Sequence, residues 1–279
     1  MENKFVVTPY FLDEPLLALI DLAPVATANE DWQINQPRLT GGDTQSRISS
    51  LHLPLSEFVS RTLLNGNRPV SISGDCCSSI GVLAGLQKGG VDASLIWFDA
   101  HGDFNTPETT PSGFLGGMPL AMLVGRGDQT MPAAVGLHPL AEDRVILTDG
   151  RDLDPGERVL VEQSRITHIT HTEHLRDRAL PDGPLYVHFD TDILDADEAP
   201  AQNYPVKGGP STSLLRCVFQ RLAATGRVVA ISLSSWNPEL DSDGKSRRAS
   251  MAVFDALVGN GSNVAARPKD GSSRDAVQA

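Results

Sequence analysis

Short apolar runs rich in β-branched residues recur along the chain, at Phe5–Val7, Val70–Ser73, Ser94–Phe98, Val145–Thr148, Leu185–Phe189 and Val228–Leu233. They are continuously apolar rather than alternating, which is what a strand covered on both faces requires. Helix-length stretches separate them, with Leu55–Leu64, Ile80–Gln87 and Leu214–Ala223 as candidate helices. This order predicts an α/β fold around a mainly parallel sheet. Residues 1–258 are read as a single domain. Gly259–Ala279, small and polar, is read as a flexible tail, and polar Thr27–Arg47 as a loop or a partly ordered excursion.

Composition narrows the class of partner. The 279 residues carry a formal net charge of −12. A phosphate-backbone binder builds its affinity from Lys and Arg, so this balance argues against nucleic acid and equally against an anionic membrane surface. No apolar run approaches the length of a membrane span, and the N-terminus lacks the pattern of a secretory signal. The cysteines, Cys76, Cys77 and Cys217, are odd in number and a poor disulfide framework. Cytoplasmic residence is the expectation.

Polar residues gather where the apolar runs end: Gly74-Asp75-Cys76-Cys77, Asp99-Ala100-His101-Gly102-Asp103 and Asp190-Thr191-Asp192. In an open α/β sheet, ligands sit at the carboxyl ends of the strands. An extended Asp99-x-His101-x-Asp103 places its three side chains on one side of the backbone, as does Asp190-x-Asp192. Carboxylate and imidazole together suit divalent cations, and carboxylates that bridge favour a pair of them. A lone Asp-x-Asp is ordinarily a pair of solvated loop acids. Two such clusters, each directly after a buried strand, weigh against that reading.

The segment 97–120, WFDAHGDFNTPETTPSGFLGGMPL, resembles the metal-binding signature of the arginase (ureohydrolase) family. HFDTDILDADEAP at 188–200 resembles that family's second signature, and SGDCCSSIG at 73–81 occupies the place of its Gly-Gly-Asp-His segment. The resemblance implies a three-layer α/β/α sandwich with a mainly parallel sheet of about eight strands. It implies a pair of divalent ions, manganese first, sharing a hydroxide that attacks a guanidino carbon. Carried over by position, Asp99, His101, Asp103, Asp190 and Asp192 match metal ligands, with Asp103 also orienting the nucleophile. Asn105, Thr110 and Ser112 match residues that hold an amino acid's α-carboxylate, and Asp154 and Glu157 match those facing its α-amino group. Asp154-Pro155-Gly156-Glu157 also reads as a helix start with a capping box. The implied substrate is a small guanidino amino acid, arginine or Nω-hydroxy-L-arginine, cleaved to ornithine and urea or hydroxyurea. Homo-oligomers are common in the family, and no residue here establishes one.

The chain departs from the family pattern at several places. Cys76 stands where the family has a histidine ligand. Three readings stay open: it ligates through sulfur, the cations are held by five protein ligands and water, or one cation is lost. Gly116 replaces a histidine thought to shuttle protons, and Phe114 replaces a polar residue nearby. Ser235 takes the place of the glutamate that binds the guanidinium, although a carboxylate is the natural partner of a planar cation. The run Gly102–Thr110, the Gly-Gly-Met at 116–118 and a Cys at position 76 are similar to the branch of the family that hydrolyses Nω-hydroxy-L-arginine. That branch keeps the glutamate, so Ser235 departs from it as well. Other readings are a hydrolase of a different linear amidine or amide, and a non-catalytic binding protein. His168, His171 and His174 are read as a surface cluster, His188 as a hydrogen-bonded core histidine, and Cys77 as packed away from the site.

Overall fold

The computed structural model describes residues 1–23 and 31–259. In chain order its strands and helices are β1 (Asn3–Thr8), β2 (Tyr10–Phe11), β3 (Glu14–Pro15), β4 (Trp32–Ile34), α1 (Thr44–Leu64), β5 (Arg68–Ser73), α2 (Ser79–Lys88), β6 (Ser94–His101), α3 (Pro119–Leu123), α4 (Thr130–Ala134), β7 (Val145–Asp152), α5 (Pro155–Gln163), β8 (Thr167–Ile169), β9 (Leu185–Asp190), α6 (Thr212–Ala224), β10 (Val228–Ser234) and α7 (Lys245–Val258). Every apolar run singled out in the sequence lies inside a strand. Among the described residues, eight strands form one sheet in the order β4-β1-β5-β10-β9-β6-β7-β8. All its neighbours are parallel.

The continuous apolar runs arise because both faces are covered. On β6, Leu95 and Trp97 pack with Ile48, Leu55 and Phe58 of α1 and with residues of α2, α3, α4 and α5. Ile96 and Phe98, the alternate positions, face the other way into a second core with Leu215, Val218 and Phe219 of α6 and Phe254 of α7. The result is the expected three-layer sandwich. The edge strands β4 and β8 are three residues each and half-buried. Neither carries a continuous apolar run of the kind that marks the central strands. The polar stretch Thr27–Arg47 contains β4 and the first turn of α1. Its residues 27–30, and all of the proposed tail after Gly259, lie outside the described residues.

Local chemistry sets the helices. Asp43 caps α1 by accepting from the Ser46 amide at 2.8 Å, and Ile48, Leu51, His52, Leu55, Phe58, Val59 and Thr62 form its buried stripe. Helix α2 lies so close to α1 that a Cβ at Gly85 would sit 2.5 Å from Val59 Cβ. Phe219 of α6 meets Phe98 and Phe189 edge-to-face, at 4.7 and 5.1 Å between ring centroids.

Phe219→Ala removes both aromatic contacts and leaves a cavity on that face. It is expected to cost about 3–5 kcal/mol in urea unfolding, whereas exposed Leu64→Ala should change stability by less than about 0.5 kcal/mol. Equal effects of the two would contradict the assigned core.

Candidate active site

The parallel register brings the acidic clusters together. Ile72 of β5, Leu233 of β10, Phe189 of β9 and Phe98 of β6 are paired in one row across the four central strands. The next residues toward the carboxyl ends are Ser73, Ser234, Asp190 and Asp99, so Asp190 and Asp99 emerge side by side. Ligand atoms of Cys76, Asp99, His188 and Asp190 all lie within 4.8 Å of one another, as do those of Asp99, His101 and Asp192.

Each side chain is held by its local chain. Asp99 Oδ1 accepts from the His101 amide at 2.7 Å, and its Oδ2 accepts from Trp97 Nε1 at 3.0 Å. Asp190 Oδ1 accepts from the Asp192 amide at 2.8 Å. Asp75 accepts from the Cys77 and Leu12 amides, which fixes the turn after β5 and aims Cys76 at the cluster. Cys76 Sγ donates to Asp190 Oδ2 at 2.8 Å. Cys77 is buried, with its sulfur on the Leu115 carbonyl at 3.7 Å, as the sequence reading placed it. Asp103 and Ser235 adopt left-handed backbone (φ 50° and 68°), which is uncommon for residues with a side chain and concentrates at functional sites.

The electrostatics are severe. Asp99, Asp103, Asp190 and Asp192 are all buried. Burial, then the charge of Asp190, raises the Asp99 carboxyl, and burial with Asp99 and Asp190 raises Asp103 much further. Burial, then Asp192, pushes Asp190 up to about 7. Burial alone would favour a neutral His101. The hydrogen bond and charge of Asp192, 3.0 Å from its Nδ1, followed by those of Asp99, hold it up at about 12. Among the described residues no lysine or arginine pairs with these four carboxylates. Asp103 Oδ2 is a buried oxygen without any hydrogen-bond partner. A hard oxygen and nitrogen donor set, a missing countercharge and an orphaned carboxylate oxygen together fit divalent cations.

Above the cluster is a cavity of about 240 Å³ into which Asn105, Thr110, Ser112, Asp154, Glu157 and Ser235 all open. Asn105 Nδ2 donates to Asp154 Oδ2 at 2.9 Å, and its Oδ1 accepts from Thr109. Thr110 Oγ1 accepts from the Gly113 amide, and Ser112 Oγ from the Phe114 amide. Glu157 Oε2 accepts from the Asp154 amide at 3.1 Å, the capping half predicted at the start of α5, and Oε1 accepts from the Phe104 amide at 2.8 Å. Burial raises Glu157 to about 7. Ser235 Oγ donates to Asp190 Oδ2.

Several participants were not singled out as site residues. Phe11, Phe114 and Tyr204 form an aromatic wall, with centroid separations of 6.2 and 5.3 Å. A Cβ at Gly116 would lie 2.4 Å from the Phe114 ring. The aromatic ring thus fills the space where a side chain at 116 would begin. Arg151 donates to the carbonyls of Asp192, Ile193 and Val206 and to Asp149, tying the loop after β9 to β7. His188 is a hydrogen-bonded core histidine as read, yet its Nε2 lies 3.1 Å from Cys76 Sγ. The signal for it was its position two residues before Asp190 on a strand, hence on the same face. His168, His171 and His174 stay apart from the cluster, with His168 Nε2 2.9 Å from the Asp149 carbonyl oxygen.

Similarity to known proteins agrees with this geometry. The arginase-family profile matches residues 21–259. The chain is 30% identical over 271 residues to N(omega)-hydroxy-L-arginine amidinohydrolase of Streptomyces lavendulae, spanning 96% of this chain and 90% of that protein. It is 29% identical over 247 residues to arginase of Bacillus subtilis, spanning 82% of each. The crystal structure of arginase from Bacillus subtilis superposes with a TM-score of 0.79 at 24% identity, over 93% of this chain and 99% of that one. With buried acidic clusters converging under a cavity at the carboxyl edge of this sheet, the chain belongs to the arginase family, the ureohydrolases that cleave carbon–nitrogen bonds of linear amidines.

Proposed function

We propose that residues 1–258 form a cation-dependent amidinohydrolase of the cytoplasm that acts on Nω-hydroxy-L-arginine in preference to arginine, releasing hydroxyurea and ornithine. The observation that carries this reading is the convergence of Asp99, His101, Asp190 and Asp192 on the cavity floor, with the unpartnered Asp103 Oδ2 beside them. Asp99, His101, Asp103, Asp190 and Asp192 would hold two divalent cations, manganese at the Asp99–His101–Asp192 side. When bound, such a pair lowers the pKa of a shared water and offsets charge that develops during attack on the amidine carbon.

The chain's own groups supply the rest. Asp103 Oδ2 has no competing donor and is placed to take the proton of the attacking water and return it to the departing nitrogen. Residue 116 has no side chain to share that task, and the Phe114 ring excludes water from its place. Asn105, Thr110 and Ser112 offer neutral polar groups to an α-carboxylate, while Asp154 and Glu157 offer acceptors to an α-ammonium. Ser235 meets the guanidine end with a hydroxyl where a carboxylate would favour a planar cation. N-hydroxylation lowers guanidine basicity, and a neutral group has less need of a carboxylate.

Asp190→Asn removes one carboxylate charge from the residues that would hold the cations and is expected to lower kcat/KM by about two to three orders of magnitude or more, with reduced bound metal in elemental analysis. Unchanged turnover would remove Asp190 from the centre. Ser235→Glu restores a charged acceptor. It is expected to shift the arginine-to-hydroxyarginine ratio of kcat/KM toward arginine by about tenfold or more, since a charge-assisted hydrogen bond contributes about 1.5–3 kcal/mol. A constant ratio in a urea and hydroxyurea product assay counts against the proposed recognition.

Asp190 and Glu157 have carboxyls at about 7, above their unfolded values of 3.8 and 4.5. The native state therefore binds protons that the unfolded chain has released, and stability falls as pH rises between those values. Chelator-treated protein should lose thermal stability from pH 5 to pH 7, within the window those shifts define. Adding Mn²⁺ should flatten the decline. A chelated protein whose Tm is flat or rising over that window would contradict the burial of these carboxyls.

A further inference from the structure

Beneath Asp190 the sheet carries a polar chain that the proposed reaction does not use. The register pairs Trp97 of β6 with His188 of β9, and His188 with Ser232 of β10. The His188 ring stacks on Trp97 at 3.7 Å between centroids, 19° from parallel, and is fully buried. Its Nδ1 lies 2.7 Å from Ser232 Oγ, which lies 2.7 Å from the Tyr186 hydroxyl. Its Nε2 faces Cys76 Sγ at 3.1 Å and Ser234 Oγ at 3.3 Å. Cys76 Sγ in turn lies 2.8 Å from Asp190 Oδ2 and 3.9 Å from Asp99 Oδ2.

We propose that His188 is a metal ligand, completing with Cys76, Asp99 and Asp190 a sulfur- and nitrogen-containing cation position that prefers a zinc- or cobalt-like ion to manganese. The inference rests on the two-cation reading of the pocket floor and adds a ligand to it. The four donor atoms are mutually within 4.8 Å. Tetrahedral zinc with ordinary bond lengths places sulfur and imidazole nitrogen about 3.5 Å apart. The observed 3.1 Å needs an outward shift of a few tenths of an ångström.

The ring is oriented for this task. In the tautomer with Nδ1–H donating to Ser232 Oγ, the Nε2 lone pair faces the sulfur, the arrangement in which a ligating histidine is held by a partner on its other nitrogen. Stacking on Trp97 fixes the ring plane, and Trp97 Nε1 holds Asp99 Oδ2, so one side chain positions two ligands. Cation binding releases the thiol proton to solvent and forms the metal–sulfur bond, with no change of oxidation state. Thiolate and imidazole make this position softer than the one formed by Asp99, His101 and Asp192. Asp99 belongs to both groups and would bridge two unlike cations.

The test uses the full chain loaded with Co²⁺, with Zn²⁺ and Mn²⁺ as competitors. Wild type should bind two cations per chain, show a thiolate-to-cobalt charge-transfer band, and release cobalt from that position to Zn²⁺ but not to equimolar Mn²⁺. Cys76→Ser should lose the band. His188→Gln should keep a shifted band and weaken one of the two cations by about tenfold or more, leaving the other unchanged. A cobalt spectrum and two affinities untouched by His188→Gln overturn the proposal, as does a band that survives Cys76→Ser. His188 is a core residue, so a variant that fails to fold by circular dichroism is replaced by X-ray absorption on zinc-loaded wild type. One sulfur and two imidazoles per pair of zinc ions are expected, and one imidazole alone overturns the assignment. Failure of the two-cation reading itself has a different signature: wild type then binds no cation, or Asp99→Asn retains both.

Discussion

Four buried carboxylates at the ends of two neighbouring parallel strands repel one another, and the protein supplies almost nothing positive to separate them. Among the described residues, the one cationic group beside Asp99, Asp103, Asp190 and Asp192 is His101, held by Asp192 and Asp99. Burial raises every one of these carboxyl groups, because a charge removed from water is costly unless it is paired. A fold that keeps such an arrangement is destabilised by it unless cations enter. The same concentration of charge makes the floor of the cavity able to grip them. Conflict between local chemistry and stability marks a functional site more clearly than any single residue type does.

The surrounding structure holds this conflict in place. Large apolar side chains such as Phe98 and Phe189 anchor the row just below the carboxylates, and Phe219 locks them from the helix layer. Backbone amides of His101 and Asp192 turn back onto Asp99 and Asp190. Arg151 stitches the loop after β9 to the end of β7 through carbonyl oxygens. These contacts orient oxygens without neutralising them, so the site is rigid and still electron-rich, as pre-organisation for cation binding requires.

The cavity above joins residues that are separate in the sequence. Phe114 and Gly116 form one packing unit in space, since the ring occupies the volume a side chain at 116 needs. Ser235 and Cys76 likewise look independent, 159 residues apart, yet both reach Asp190 Oδ2. Both side chains meet at Asp190, Cys76 beside the core residue His188 and Ser235 at the cavity.

The amino-acid sequence by itself determined the layered α/β fold, because strands buried on both faces must be continuously apolar. It also determined the acidic groups at their ends, because Asp-x-His-x-Asp and Asp-x-Asp are local patterns that a single extended segment expresses. It left the three-residue edge strand β4 unseen, for it buries too little to carry a pattern. Only the tertiary structure decided that His188 abuts Cys76, that an aromatic wall of Phe11, Phe114 and Tyr204 closes the cavity, and that Asp103 Oδ2 is left without a partner. Those facts depend on strand order and register between segments more than a hundred residues apart, as for Cys76 and His188. No local pattern encodes which strand lies beside which. That choice is made by the packing of the whole sheet.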